Sequence, residues 1–232
     1  MVKILFFFAC CISIASNANS QKNLTKEFLT GKNDFKKDVN FVKLGEPFAN
    51  KSIYINREAS IQFKKMYAAA LADNIKLIIL SAARNFDYQK AIWGKKWERL
   101  NNSAFKDPLL RATEILKYSA LPGTSRHHWG TDIDLVNLNN SYFESGEGKR
   151  IYEWLKANAS KYGFYQPYTA GRKMGYKEEK WHWSYLPVAE IYLQEYLKTI
   201  TCNDISGFYG AKTVLQLNVV NNYVKAVNTK YW

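Results

Sequence analysis

The chain has 232 residues and carries 33 Lys and Arg against 20 Asp and Glu, which gives a formal net charge of +13. Hydrophobic residues make up 47% of the sequence, with only 12 Gly and 5 Pro. This composition excludes an intrinsically disordered or collagen-like protein and supplies enough apolar mass for a real core. The length is that of one domain or of two small ones.

The N-terminus has the order of a secretory signal peptide. A single charge, Lys3, is followed by an apolar stretch over residues 4–14 and by small residues up to Ser20. We therefore expect residues 1–20 to be a cleaved leader and the protein to be exported to the periplasm or cell envelope, with lipidation of Cys10 as the alternative. No other apolar run is long enough to span a membrane.

Export also bears on the positive charge and on the cysteines. An exported basic protein meets the anionic cell envelope, whereas the scattered Lys and Arg residues form no nucleic-acid-binding motif. We expect no nucleic-acid partner. Cys202 is the only cysteine outside residues 1–20, so no internal disulfide is expected in the mature chain.

Hydrophobic periodicity predicts the elements of the first half of the chain. Residues 21–56 are polar with short apolar groups and predict an irregular N-terminal arm laid on the domain. Apolar positions at helical spacing predict a helix over 58–73, and the β-rich run at 76–81 predicts a buried strand. Two more helices are expected over 86–100 and 108–118.

The second half adds two strands and three helices. A strand is expected over 130–136, a helix over 148–162, a strand over 181–186, and helices over 187–200 and 211–228. No internal repeat separates these elements. The order predicts a single domain of the α+β class, with a small antiparallel sheet and packed helices.

All three histidines of the chain lie in two short segments, 125–134 and 179–182. Imidazole and carboxylate groups are the ligands that zinc accepts where thiolates are lacking, and a catalytic zinc site takes three protein ligands. Two histidines and one aspartate satisfy this requirement. A carboxylate outside the ligand set would have to accept the proton of the attacking water, and Glu179, three residues before His182, is the candidate.

The two segments resemble the signature of the VanY-type D-alanyl-D-alanine carboxypeptidases, zinc peptidases grouped with D,D-dipeptidases and the hedgehog domain. That signature is S-x-H-x-x-G-x-x-x-D followed by E-x-W-H, with an upstream R-x-x-x-x-Q. The matching positions here are Arg84, Gln89, Ser125, His127, Gly130, Asp134, Glu179, Trp181 and His182.

The resemblance implies a role for each of these positions. His127, Asp134 and His182 would bind one Zn²⁺ per chain, and Glu179 would be the general base. Arg84 would bind the substrate carbonyl or carboxylate and stabilise the oxyanion, with Gln89 and Ser125 as further substrate contacts. The implied division is a peptidase domain over 57–200 of the hedgehog/D,D-peptidase type, with a helical extension over 201–232 packed on it.

Three positions leave the assignment open. Asp132 stands where the family usually has a small apolar residue, and it could bind the metal, shape the substrate site or, as we favour, orient a ligand histidine. Glu178 adjoins Glu179, and only the family spacing selects the latter. His128 adjoins His127 and is interpreted as a surface histidine.

The implied function is hydrolysis of the terminal D-Ala from peptidoglycan stem peptides that end in D-Ala-D-Ala, by a monomeric enzyme. A D,D-dipeptidase or an L,D-endopeptidase on the same scaffold is the near alternative. A non-catalytic, zinc-stabilised wall-binding module is the third reading. The presence of Glu179 and Arg84 argues against it, because a structural zinc site needs neither a base nor an oxyanion donor.

Overall fold

A computed structural model describes residues 24–101 and 104–228 of the chain. The predicted leader, residues 1–20, lies outside the described residues. Among the helices that are described, none has both the length and the apolar character needed to cross a lipid bilayer.

A four-stranded antiparallel sheet lies at the centre of the fold, with the strand order β3-β4-β6-β5. Its strands are β3 (Ile79–Ser81), β4 (Asp132–Leu135), β5 (Phe164–Tyr165) and β6 (His182–Tyr185). Side chains alternate between the two faces of a strand. Ile133 and Leu135 therefore enter the hydrophobic core, while Asp132 and Asp134 point to the opposite face.

Seven α-helices are present within the described residues. They are α1 (Lys26–Leu29), α2 (Arg57–Ala72), α3 (Phe86–Arg99), α4 (Pro108–Ile115), α5 (Gly146–Asn158), α6 (Leu186–Thr199) and α7 (Val214–Leu217). One core cluster joins α2 and α5 to the apolar face of the sheet. A second cluster joins α1, α3, α4 and α6 to the C-terminal segment. The predicted α+β class with a small antiparallel sheet is confirmed.

Local capping explains why the long helices begin close to their predicted positions. The side chain of Asn56 accepts hydrogen bonds from the backbone N–H groups of Glu58 and Ala59, and Asn85 does the same for Tyr88 at the start of α3. Such caps satisfy N–H groups that have no partner inside the helix.

The N-terminal arm is more regular than predicted. Besides α1, it contains a two-stranded antiparallel sheet of β1 (Phe41–Leu44) and β2 (Ile53–Asn56), with Phe41 opposite Asn56. Neither strand alternates strictly between apolar and polar residues, which is the pattern that predicts a half-buried strand. The expectation of an irregular arm over 21–56 is therefore wrong for this part of it.

The continuous helix predicted over 211–228 is also wrong. α7 ends at Leu217, the next residue, Asn218, has a left-handed backbone with φ of 46°, and a single π-helical turn follows at Val220–Val224. Asparagine adopts this conformation more readily than most residues, which permits the break. The apolar stripe still serves the core, because Val214 and Val220 pack in the same cluster as Trp93.

Candidate metal centre

Three buried side chains converge at the polar face of the sheet. Asp134 on β4 lies directly opposite His182 on β6, so strand pairing brings them together. His127 comes from a 3₁₀ turn, Arg126–Trp129, that precedes β4. Gly130 ends this turn with φ of 67°, and a Cβ there would lie 2.5 Å from Phe41 Cε1. Only glycine suits both the conformation and the space.

The geometry of this triad fits a bound cation. One ligand atom from each of His127, Asp134 and His182 lies within 4.8 Å of the others. His127 Nε2 and Asp134 Oδ1 are buried without a hydrogen-bond partner in the part of the chain that the structure describes. Buried polar atoms normally have a partner. Two such atoms without one in the same site therefore indicate that the site binds a further partner, such as a cation. Two imidazoles and a carboxylate suit Zn²⁺.

Hydrogen bonds on the outer side of His127 and His182 determine which nitrogen of each ring faces the other members of the triad. His127 Nδ1 lies 2.8 Å from the carbonyl oxygen of Ala82. A carbonyl oxygen only accepts, so Nδ1 carries the proton and Nε2 presents its lone pair. His182 Nε2 lies 2.8 Å from Asp132 Oδ2, which leaves its Nδ1 facing Asp134 Oδ1 at 3.1 Å.

Asp132 therefore lies behind His182, where the orienting role favoured from the sequence requires it. It is fully buried in a network in which Arg126 Nε donates to Oδ2 at 2.9 Å, and the hydroxyls of Ser184 and Thr131 donate to Oδ1 at 2.7 and 3.0 Å. Burial opposes ionisation, but the Arg126 guanidinium and His182 keep the pKa of Asp132 below its usual range. The ionised carboxylate accepts a hydrogen bond from the Nε2–H of His182 and positions the ring.

Glu179 lies beside the triad. Its Oε2 is 3.3 Å from His182 Nδ1, and its side chain is buried. Burial raises the pKa of Glu179 above its ordinary value, although His182 opposes that effect. A raised pKa suits a carboxylate that accepts and then releases a proton. Glu178, its neighbour, is partly exposed and does not line the cavity described next.

A cavity of about 520 Å³ opens over the triad and is lined by all seven site residues predicted from the sequence: Arg84, Gln89, Ser125, His127, Asp134, Glu179 and His182. Arg84 Nη1 lies 3.9 Å from Asp134 Oδ2. Gln89 Nε2 donates to the carbonyl oxygen of Ala120 at 2.7 Å. Arg84 Nε and Gln89 Oε1 are buried and have no hydrogen-bond partner among the described residues.

His128 is not a surface residue, which corrects the sequence interpretation. Its exposed fraction is 0%, because the N-terminal arm covers it at Gly31. Its Nδ1 donates to the carbonyl oxygen of Arg84 at 2.7 Å, and its Nε2 accepts from the Gly123 N–H at 3.0 Å. Burial lowers the pKa of His128 to about 3, so the ring is neutral. His128 thus anchors the backbone of Arg84.

Replacing His128 by Leu is expected to destabilise the fold. The variant leaves the Arg84 carbonyl and the Gly123 N–H buried without partners, at about 1–3 kcal/mol each. Urea unfolding of the metal-free protein measures the loss in unfolding free energy. His128→Gln retains a donor and an acceptor and should lose less. A Leu variant as stable as the parent would contradict this role.

The cavity-lining residues that the sequence analysis missed include Lys96 on α3, and Tyr168 and Tyr176 from the loop after β5. The Tyr168 ring lies 4.7 Å from the His182 ring, centroid to centroid. None belongs to the motif. Lys96 has Gln89 seven residues before it, a helical spacing that was the available signal.

Comparisons with known proteins identify the family of the chain. The family model VanY, described as D-alanyl-D-alanine carboxypeptidase, matches residues 52–188. A D-alanyl-D-alanine carboxypeptidase of Enterococcus faecalis is 28% identical over 155 residues, covering 62% of this chain and 56% of that protein. A putative carboxypeptidase of Bacillus subtilis is 30% identical over 141 residues, covering 57% and 46%. The chain thus spans about half the length of the curated relatives it matches.

Solved structures show the same architecture. A vancomycin-resistance D,D-pentapeptidase VanY in complex with Zn(II) is 26% identical, with a TM-score of 0.53, and the match covers 71% of this chain and 92% of that one. The structure of VanYB in complex with D-alanine-D-alanine gives a TM-score of 0.52 at 26% identity, covering 72% and 92%. With the family model matching more than half of its residues, this chain belongs to the VanY family of D-alanyl-D-alanine carboxypeptidases.

Proposed function

We propose that this protein is an exported, zinc-dependent D-alanyl-D-alanine carboxypeptidase that removes the terminal D-Ala from peptidoglycan stem peptides. One observation carries the proposal: the buried triad of His127, Asp134 and His182 opens into a cavity that also contains Glu179 and Arg84. A ligand triad, a separate carboxylate and a guanidinium in one cavity are what hydrolysis of a peptide bond requires. The named relatives, one solved with zinc and one with D-alanine-D-alanine, support the metal and the substrate.

His127 Nε2, Asp134 and His182 Nδ1 would bind one zinc ion per chain. Bound there, zinc would polarise the substrate carbonyl and lower the pKa of water from 15.7 to about 7. The side chains behind the ligands serve the same site. Asp132 and the Ala82 carbonyl keep the two imidazoles in the tautomers that present lone pairs to it.

The remaining groups of the cavity move the proton and stabilise the developing charge. Glu179 takes a proton from the attacking water and delivers it to the amine of the departing D-Ala. The Arg84 guanidinium lies at the triad and would stabilise the negative carbonyl oxygen as it forms. Gln89 and Ser125 line the same cavity and would provide further hydrogen-bonding contacts to the substrate.

The products that the protein releases from a muramyl pentapeptide distinguish this function from the alternative functions. The protein from Gln21 onward, purified with zinc, is expected to release free D-Ala, as chromatography with mass spectrometry would detect. The dipeptide D-Ala-D-Ala would indicate a D,D-dipeptidase, and a cut within the L,D part of the stem would indicate an endopeptidase. An intact pentapeptide bound without cleavage would indicate the wall-binding module. We expect the active species to be a monomer.

A further inference from the structure

Lys96 is a second cation in the substrate cavity. It lies on α3 seven residues after Gln89, and its side chain lines the same cavity as Arg84 and Glu179. Seven residues are about two helical turns, so Gln89 and Lys96 share one face of α3. The Lys96 side chain is half-buried, whereas that of Lys95, the preceding residue, is exposed.

This ammonium group has no ion-pair partner in the two described ranges. Burial lowers the pKa of Lys96, Glu179 attracts the ammonium, and Arg84 and Arg99 repel it. A cation withdrawn from water beside other cations is unfavourable until an anion pairs with it. Arg84 in this cavity already lies beside Asp134, whereas the Lys96 ammonium lines the cavity with no ion pair of its own in the described part of the chain and is positioned to receive a negatively charged ligand group.

Arg84 and Lys96 lie at different positions in the cavity, and we assign them different roles. Arg84 lies at the ligand triad, 3.9 Å from Asp134 Oδ2, and so beside the bond that is cut. Lys96 lies farther along α3, beyond Gln89. In a peptide ending in D-Ala, the terminal carboxylate follows the scissile bond by one residue. We propose that Lys96 binds the C-terminal carboxylate of the substrate and thereby selects peptides with a free terminal acid.

The inference rests on the proposed function, because it assigns the negative group to the departing residue. The competing explanation is that Lys96 only neutralises Glu179 across the cavity. The two explanations differ in what they predict for a peptide that lacks the terminal charge. A counter-ion of Glu179 affects every substrate alike, whereas a carboxylate-binding residue affects only the free acid.

The test compares two probes, N,N′-diacetyl-L-Lys-D-Ala-D-Ala and its C-terminal amide, with the zinc-loaded parent and Lys96→Met. The parent should prefer the acid, and Lys96→Met should reduce that preference in kcat/KM by about 10- to 100-fold, mainly through KM, as expected for a hydrogen bond between charged groups. Lys96→Arg should retain most of the preference. Lys95→Met removes the same charge from the exposed side of α3 and should change nothing.

A binding measurement keeps this inference separate from the proposed function. If the parent releases no D-Ala, the proposed function fails, while calorimetry of zinc-loaded Glu179→Gln with the two probes still tests Lys96. Tighter binding of the acid, lost in Glu179→Gln/Lys96→Met, supports the inference. Equal binding of both probes, no binding of either, or an equal loss of both with Lys96→Met overturns it. Circular dichroism confirms that each variant is folded.

Discussion

Glu179→Ala is expected to lower the rate of D-Ala release by about 10²- to 10⁴-fold, the usual contribution of a general acid or base. Zinc content should stay at one ion per chain. Glu179 is not one of the three residues whose ligand atoms cluster, although its Oε2 lies 3.3 Å from His182 Nδ1. The substitution therefore removes a proton carrier and leaves the ligands in place.

The neighbouring glutamate provides the matched control. Glu178→Ala removes the same group from a partly exposed position outside the cavity, so its activity should match the parent. The Glu179→Ala and Glu178→Ala proteins are compared by their steady-state rates on the diacetylated tripeptide and by metal analysis. A Glu179→Ala protein as active as the parent would remove Glu179 from the mechanism. Loss of zinc in that variant would make it a ligand instead.

Asp132→Asn should weaken zinc binding by about 10- to 100-fold, the usual effect of removing a partner of a ligand histidine. In the parent protein, the Asp132 carboxylate accepts a hydrogen bond from His182 Nε2 at 2.8 Å, which leaves Nδ1 free for the metal. An amide that donates to Nε2 would favour the opposite tautomer. The same change leaves Arg126, only 2% exposed, without its anion, and breaking a buried ion pair costs about 3–5 kcal/mol of unfolding free energy.

Two measurements on Asp132→Asn separate metal affinity from stability. Competition with a chromophoric chelator gives the zinc Kd, and urea unfolding of the metal-free protein gives the stability. Ser184→Ala is the control, because it removes one donor to Asp132 and leaves the contact with His182 intact. It should lose less zinc affinity than Asp132→Asn. An Asp132→Asn protein with the parental zinc Kd would show that the carboxylate does not position His182.

The sequence predicts best what is determined locally. α2 and α3 begin at or within one residue of their predicted starts, because Asn56 and Asn85 cap them through hydrogen bonds over two or three residues. The spacing of the motif likewise selects residues that the sheet brings together, since Asp134 and His182 pair across β4 and β6.

Features that depend on distant packing could not be predicted in this way. His128 is buried because the arm reaches across to it, and nothing near position 128 encodes that contact. The break at Asn218 requires a core that accepts the valines of two short segments in place of one helix. The entry of Lys96 into the cavity depends on how α3 is placed against the triad, which residue spacing leaves undetermined.

Removal of the terminal D-Ala should require metal bound by His127, Asp134 and His182. Zinc titrated into the chelator-treated protein, with release of D-Ala from a muramyl pentapeptide as the measurement, tests this requirement. Release should be absent without metal, rise in proportion to added zinc and level off at one equivalent per chain. Release that persists without metal, or no release from a fully zinc-loaded and folded protein, would contradict a role for this metal in D-Ala removal.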